Sequence, residues 1–145
     1  FNTYGPLMRS DDGRVVSNFI CQSISKIPLT IYGDGSQTRS FCHIDDLVIG
    51  LKKLMNSGSD ILYPVNLGNP DEFSLLELVK EIERISSKEL ELEFRPLPMD
   101  DPKIRKPDIQ LAKTKLGWEP SIKLSDGLIN TYEYFFNQLK RSSTS

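Results

Sequence analysis

The residues best suited to chemistry cluster in Gly33-Asp-Gly-Ser-Gln-Thr-Arg-Ser-Phe41, where Arg39 follows a turn bracketed by two glycines. Gly33 and Gly35 reach backbone angles closed to other residues, so the chain can reverse tightly there. The polar–apolar alternation that follows predicts Arg39 at the start of a strand. A guanidinium held that way is a planar fork matched to a phosphate or carboxylate. On this run alone the plainer reading, a hairpin turn with a surface ion pair, stands first.

Other reactive side chains read as structural. His43, the only histidine, precedes Ile44 and two aspartates at a helix start, which favours a structural role. The paired carboxylates Asp45, Asp46, Asp100 and Asp101 read as helix-end and loop solvation rather than acid–base catalysis. Cys21 and Cys42 form no close pair, so neither a metal knuckle nor a disulfide framework is expected. Both read as core or near-core thiols in a reducing, cytosolic setting. Trp118 after Gly117 reads as a core plug beneath a helix end.

The elements that must position Arg39 follow from periodicity. Val16, Phe19, Ile20, Ile24 and Ile27 predict a helical face over residues 15–27, ended by Pro28. Leu29–Tyr32 reads as a short strand. Ile44, Leu47, Val48, Leu51, Leu54 and Met55 form a second helical stripe, with Asp45 and Asp46 at its positive end. Residues 62–67 read as a strand, with Pro64 placing it near an edge. Ser74 and Glu77 have capping-box spacing, Phe73 can staple onto Leu78, and Leu75, Leu78, Val79, Ile82 and Ile85 supply a buried face. Leu90, Leu92 and Phe94 alternate as a strand. Residues 95–107 hold four prolines and no period, as functional or disordered segments do. A short helix from about Asp108 stops at Gly117. A last helix from Ser125 carries Leu128, Ile129, Tyr132, Phe135, Phe136 and Leu139 inward, and residues 141–145 read as a frayed tail.

This alternation of helix and strand predicts an α/β fold. At 145 residues, 38% hydrophobic, 26% charged and with net charge −2, the chain is about one domain's worth. No basic excess points to nucleic acid, and no apolar run approaches the roughly 20 residues of a membrane span. The start, Phe1-Asn-Thr-Tyr-Gly-Pro6, reads as the end of a strand whose beginning lies upstream. The chain is therefore expected to be the carboxy-terminal part of something longer. The strand at 62–67 is apolar like one of a parallel sheet, yet too few strands accompany it to bury both faces.

Several segments together resemble one family. Phe1-Asn-Thr-Tyr-Gly-Pro6, Asp12-Gly-Arg-Val-Val-Ser-Asn-Phe-Ile20 and Pro28-Leu-Thr-Ile-Tyr-Gly-Asp-Gly-Ser-Gln-Thr-Arg-Ser-Phe41 are similar to the UDP-glucuronate decarboxylases, or UDP-xylose synthases. So are Val65-Asn-Leu-Gly-Asn-Pro70, Asp100-Asp-Pro-Lys-Ile-Arg-Lys-Pro-Asp108 and Leu116-Gly-Trp-Glu-Pro120. That family belongs to the extended short-chain dehydrogenase/reductases. Asn-x-Tyr-Gly-Pro and Leu-Gly-Trp-x-Pro recur across dehydratases and epimerases of this group, whereas the other runs look more like the decarboxylase branch. Leu7 departs from the arginine expected there.

The resemblance implies the substrate-binding, carboxy-terminal portion (residues 1–140) of a Rossmann-type NAD(P)-binding enzyme with an incomplete parallel sheet, residues 62–87 completing the cofactor domain. It implies bound NAD, oxidation of the sugar C4 hydroxyl, loss of carbon dioxide from the resulting β-keto acid, and return of hydride to give UDP-xylose. The alternatives are another nucleotide-sugar dehydratase or epimerase, and a non-catalytic nucleotide-sugar-binding module. The family's proton handling falls to a tyrosine four residues before a lysine, and no Tyr-x-x-x-Lys or glycine-rich phosphate turn stands in this chain. No catalytic residue is therefore expected here, and the chain alone is expected to be inactive. A homodimer is implied for the full-length protein.

By the same resemblance Arg39 and Arg105 clamp the diphosphate and Asn2 reaches it. Thr3, Arg14 and Arg9 lie near NAD. Val16, Thr30 and Tyr32 enclose the uracil and ribose, Gln37 joins the polar rim, and Asp108 accepts a ribose hydroxyl. Each has a plainer counterpart: Val16 falls on the helical stripe, Tyr32 can be strand packing, Asp108 a helix cap, and Arg9, Gln37 and Arg105 solvated side chains.

Overall fold

The computed structural model describes residues 2–58, 61–97 and 106–142. Along the chain run β1 (Thr3–Tyr4), α1 (Val15–Ser25), β2 (Leu29–Tyr32), β3 (Thr38–Ser40), β4 (Cys42–His43), α2 (Ile44–Met55), β5 (Glu72–Ser74), α3 (Leu75–Ser86), β6 (Leu92–Arg95), α4 (Gln110–Leu116) and α5 (Leu124–Ser142). The fold is α/β, as the alternation predicts. Among the described residues the strands form three two-stranded ladders: β1 with β4 and β2 with β6 are parallel, β3 with β5 antiparallel.

Apolar spacing explains the main core. Phe19 and Ile20 of α1, Leu78 and Ile82 of α3, and Leu128 and Phe135 of α5 meet Leu29 and Ile31 of β2, all buried. A smaller cluster joins Leu67, Ile109, Ala112 and Trp118. Gly50 makes room for the Trp118 ring, since a Cβ there would stand 2.9 Å from Trp118 Cε2. The helix starts are chemically specified. Ser74 Oγ accepts from the Glu77 N–H at 3.1 Å while Glu77 Oε2 accepts from the Ser74 N–H at 2.7 Å, closing the capping box. His43 Nδ1 accepts from the Asp45 N–H at 3.3 Å and caps α2.

Several expectations are corrected. Helix α1 ends at Ser25, not residue 27. Pro28 bars the preceding residue from helical angles, so the chain turns at Lys26 (φ 58°) and leaves Ile27 53% exposed. Residues 62–67 form no strand among the described residues; Pro64 offers no donor and no ladder lies alongside. The strand predicted from Leu90 is β6, begun two residues later, and Phe94 is exposed. The stripe of α2 is only partly covered: Val48, Leu51 and Met55 are exposed, Ile44, Leu47 and Leu54 half-buried, with Leu47 against the Trp118 cluster, and the helix's buried residues are Asp46 and Gly50. On α5 the inward positions are Leu128, Thr131 and Phe135; Phe136 lies outside, stacked on Tyr132 with Lys140 Nζ 4.2 Å above its ring. Arg141 and Ser142 continue α5, and residues 143–145 lie outside the described residues.

Asp46 is the sharpest correction. It is buried, not a solvated helix end, and its carboxylate accepts from Ser121 N–H (3.1 Å), Ser121 Oγ (3.0 Å) and Ile122 N–H (2.9 Å). Its own carbonyl accepts from Trp118 Nε1 at 2.9 Å. One residue thus ties the start of α2 to the segment entering α5.

Candidate active site: a two-arginine cleft

A cleft of about 320 Å³ opens between α1, β2, β3 and the chain start. Its walls include Asn2, Thr3, Arg14, Val16, Thr30, Tyr32, Gln37 and Arg39, with Asn18, Phe19 and Phe41 between them. Among the described lining residues stand two guanidinium groups and no carboxylate, so the cleft favours an anion.

Local structure explains how each side chain arrives. Gly33 and Gly35 take φ of 76° and 78°, turning the chain from β2 into β3. Gly35 is also tightly enclosed, since a Cβ there would lie 2.9 Å from the Leu76 side chain. Strand β3 is held by its antiparallel register, Arg39 opposite Phe73, and by Thr38 Oγ1 donating to Glu72 Oε1 at 2.8 Å. Arg39 is therefore only 8% exposed, with Nη1 donating to the Thr38 carbonyl at 2.8 Å. Asn2 bridges the chain start to β3 and β4, donating from Nδ2 to the Ser40 carbonyl at 3.2 Å and accepting from the Cys42 N–H at 3.0 Å.

Arg14 precedes α1 and reaches across to the Thr3 carbonyl at 3.3 Å, with Asp12 Oδ2 3.2 Å from its Nε. Gln37 Nε2 donates to the Tyr32 carbonyl at 2.5 Å. A second hollow of about 340 Å³ adjoins the first; Asn18, Thr30 and Tyr32 line both, and Cys21, Gln22 and Arg95 line only the second.

Two of the described residues named from sequence stand apart. Arg9 is not among the lining residues; its guanidinium grips Asp11 through two bonds of 3.0 and 2.9 Å in the open. Asp108 is exposed away from the cleft, where its Oδ1 accepts from the Gln110 N–H at 2.8 Å and so starts α4. Arg105 lies outside the described residues. Sequence reasoning passed over Asn18 and Gln22. The signal was present, since Arg14, Asn18 and Gln22 are spaced by four and share one side of a helix.

The strongest pKa shifts belong to the packing behind the cleft. Tyr4 is 1% exposed, its ring edge-on to Phe41 and His43 at 6.5 and 5.4 Å. Burial, then the negative groups Cys42, Asp46 and Asp126, push its phenol well above the usual range. Burial and Asp46 likewise raise the Cys42 thiol to about 11. Neither group is poised to exchange protons near neutrality. No group of three or more potential metal ligands occurs among the described residues. No helix among them is long and apolar enough to cross a membrane.

Residues 1–68 match the NAD dependent epimerase/dehydratase family. The chain is 52% identical over 139 residues to UDP-glucuronic acid decarboxylase 1 of Arabidopsis thaliana, covering 96% of this chain and 32% of that protein. It is 48% identical to UDP-glucuronic acid decarboxylase 1 of Danio rerio over all of this chain and 34% of that one. It thus spans about a third of the length of these curated relatives. Among solved structures, UDP-glucuronic acid 4-epimerase from Bacillus cereus, in complex with UDP-glucuronic acid and NAD, superposes with a TM-score of 0.89. The two are 36% identical, over 96% of this chain and 44% of that one. The likeness to that family's model thus lies in residues 1–68, and the likeness to the UDP-glucuronic acid decarboxylases runs over nearly all of this chain.

Proposed function

We propose that this chain forms the nucleotide-sugar side of an NAD-dependent UDP-glucuronate decarboxylase. The observation that carries the reading is the buried Arg39 in a cleft that Asn2, Arg14, Thr30 and Tyr32 also line. A guanidinium already desolvated and held by its own strand loses little freedom on gripping a diphosphate. Arg105, by the motif that carries it, is the second clamp, and Asn2 the neutral donor beside them. Val16 and Phe19 supply an apolar wall for a base and ribose. Thr30 and Tyr32 supply peptide groups for the base's polar edge, and Gln37 the rim. Asp108 as a ribose acceptor has less support, because its carboxylate already serves the α4 start.

NAD fits this chain only at its margin. Thr3 and Arg14 meet at one end of the cleft, joined by a 3.3 Å bond, and would border the cofactor; Arg9 would do so only by releasing Asp11. When bound, NAD would supply reversible oxidation at the sugar C4, which labilises the neighbouring carboxylate. This chain's residues would hold the leaving carboxylate's parent sugar by its diphosphate and exclude water from one side. The catalytic tyrosine and lysine are not in this sequence.

The reading that residues 62–87 complete a cofactor domain supplied by the rest of the protein has support at residues 62–67, which join no ladder among the described residues. It has less beyond them, because β5 pairs with β3 and Leu75, Leu78, Val79 and Ile82 of α3 pack in one core with α1 and α5. A homodimeric, cytosolic enzyme belongs to the same reading, and light scattering of the full-length protein tests the dimer. The assay that decides the activity is product analysis of the full-length protein with UDP-glucuronate. UDP-xylose with an equivalent of carbon dioxide supports the reading. A product of unchanged mass, as 4-epimerisation with the carboxylate kept would give, overturns the reading.

A further inference from the structure

We infer that Gln22 is a specificity-determining positioning residue, fixing the strand edge that distinguishes uracil from other bases; the inference rests on the nucleotide-sugar reading above. Strand β2 pairs with β6 through alternate residues, with Leu29 N–H donating to the Glu91 carbonyl at 2.7 Å and Gly33 N–H to the Arg95 carbonyl at 2.8 Å. A parallel ladder uses every second residue, so Thr30 and Tyr32 turn their peptide groups to the opposite edge, beside the cleft. Two glutamines close the ends of that edge. Gln22 Oε1 accepts from the Thr30 N–H at 3.2 Å while its Nε2 donates to Thr30 Oγ1 at 3.1 Å. Gln37 closes the far end at the Tyr32 carbonyl.

Between the two glutamines lie the Thr30 carbonyl and the Tyr32 N–H, an acceptor followed by a donor. Uracil offers the complement, its N3–H donor and O4 acceptor; cytosine offers the reverse there, N3 as acceptor and N4–H as donor. Gln22 makes both amide bonds to one residue. It thereby fixes the tilt of the Thr30 peptide and keeps its N–H from competing for a base carbonyl one step out of register. The arrangement comes from α1, where Arg14, Asn18 and Gln22 stand one turn apart along the groove, leading from the arginine end to the base end.

The test measures UDP and CDP binding by calorimetry in the full-length protein, wild type against Gln22→Met and Gln22→Glu. Methionine keeps the volume and removes both hydrogen bonds; glutamate keeps an acceptor for the Thr30 N–H. The ratio of CDP to UDP dissociation constants is expected to fall about tenfold in Gln22→Met and to stay within about threefold of wild type in Gln22→Glu. A fall in both affinities at an unchanged ratio in Gln22→Met would assign Gln22 to packing alone and overturn the inference. Should that variant not fold, Thr30→Val, which removes only the hydroxyl partner, is expected to lower the ratio about threefold. An unchanged ratio there overturns the inference equally. A wild-type protein that does not prefer UDP over CDP defeats the base reading itself.

Discussion

Replacing Asp46 separates charge from hydrogen bonding at the latch between α2 and the segment entering α5. Its Oδ2 accepts from two backbone N–H groups, Ser121 at 3.1 Å and Ile122 at 2.9 Å, and Oδ1 accepts from a hydroxyl at 3.0 Å. Asparagine can place its single oxygen at the Oδ2 position and its NH₂ where Oδ1 stood, because the Ser121 hydroxyl can rotate from donor to acceptor. Asp46→Asn therefore keeps three contacts and loses charge assistance, a cost of about 1 kcal/mol. Alanine abandons all three donors, two of them peptide groups with no means to rotate. At about 1 kcal/mol per lost bond, Asp46→Ala costs about 3 kcal/mol, a large share of the roughly 5–15 kcal/mol of a typical domain. In thermal unfolding followed by circular dichroism these costs lower Tm by about 4 °C and about 12 °C. An Asp46→Asn variant as damaged as Asp46→Ala, or an alanine variant within about 1 kcal/mol of wild type by urea titration, would refute the reasoning.

Other substitutions probe neighbouring features. Ser74→Ala opens the capping box and is expected to cost about 1 kcal/mol in urea unfolding. The hydrogen bonds from Ser74 hold the Glu77 carboxyl below the usual carboxylate range. That contribution is present above the ordinary pKa and lost as pH falls through the depressed one, so the variant's stability should show a smaller acid dependence. With its thiol raised to about 11 by burial, Cys42 should resist iodoacetamide at pH 8 while the half-buried Cys21 is alkylated, as read by mass spectrometry. The raised pKa contributes stability fully present below the unfolded thiol's value and lost as pH climbs toward 11. Gly127→Ala would drive a methyl into Tyr4 Oη and to 2.8 Å from His43 Cδ2, so little soluble protein is expected on expression.

Features encoded within a few residues were legible in the sequence. The Ser74–Glu77 box, the glycine turn at 33 and 35 and the span of α2 each follow from neighbours along the chain. Most of the positions named from the motifs also line one cleft, because those motifs fall on α1, β2 and β3, which adjoin it. What escaped is long-range. Asp46 reads as a helix-end carboxylate until Ser121 and Ile122, some seventy-five positions on, are seen to meet it. The exposed part of the α2 stripe escaped for a related reason, since periodicity identifies an apolar stripe but not whether a partner lies against it. Residues 62–67 carry strand-like composition, yet a strand exists only as a ladder. Spacing by four puts Gln22 on the same helix side as Arg14 and Asn18, but its two bonds to Thr30 are a helix–strand contact that spacing does not show.

The central claim is that Arg39 faces the diphosphate of a nucleotide sugar. Binding of UDP and of uridine to the full-length protein, with Arg39 and with Arg39→Ala, tests it most directly. The account predicts UDP weakened by about a hundredfold, from loss of a desolvated charge pair, and uridine changed by less than about threefold. Equal loss for both ligands, or none for either, would contradict it.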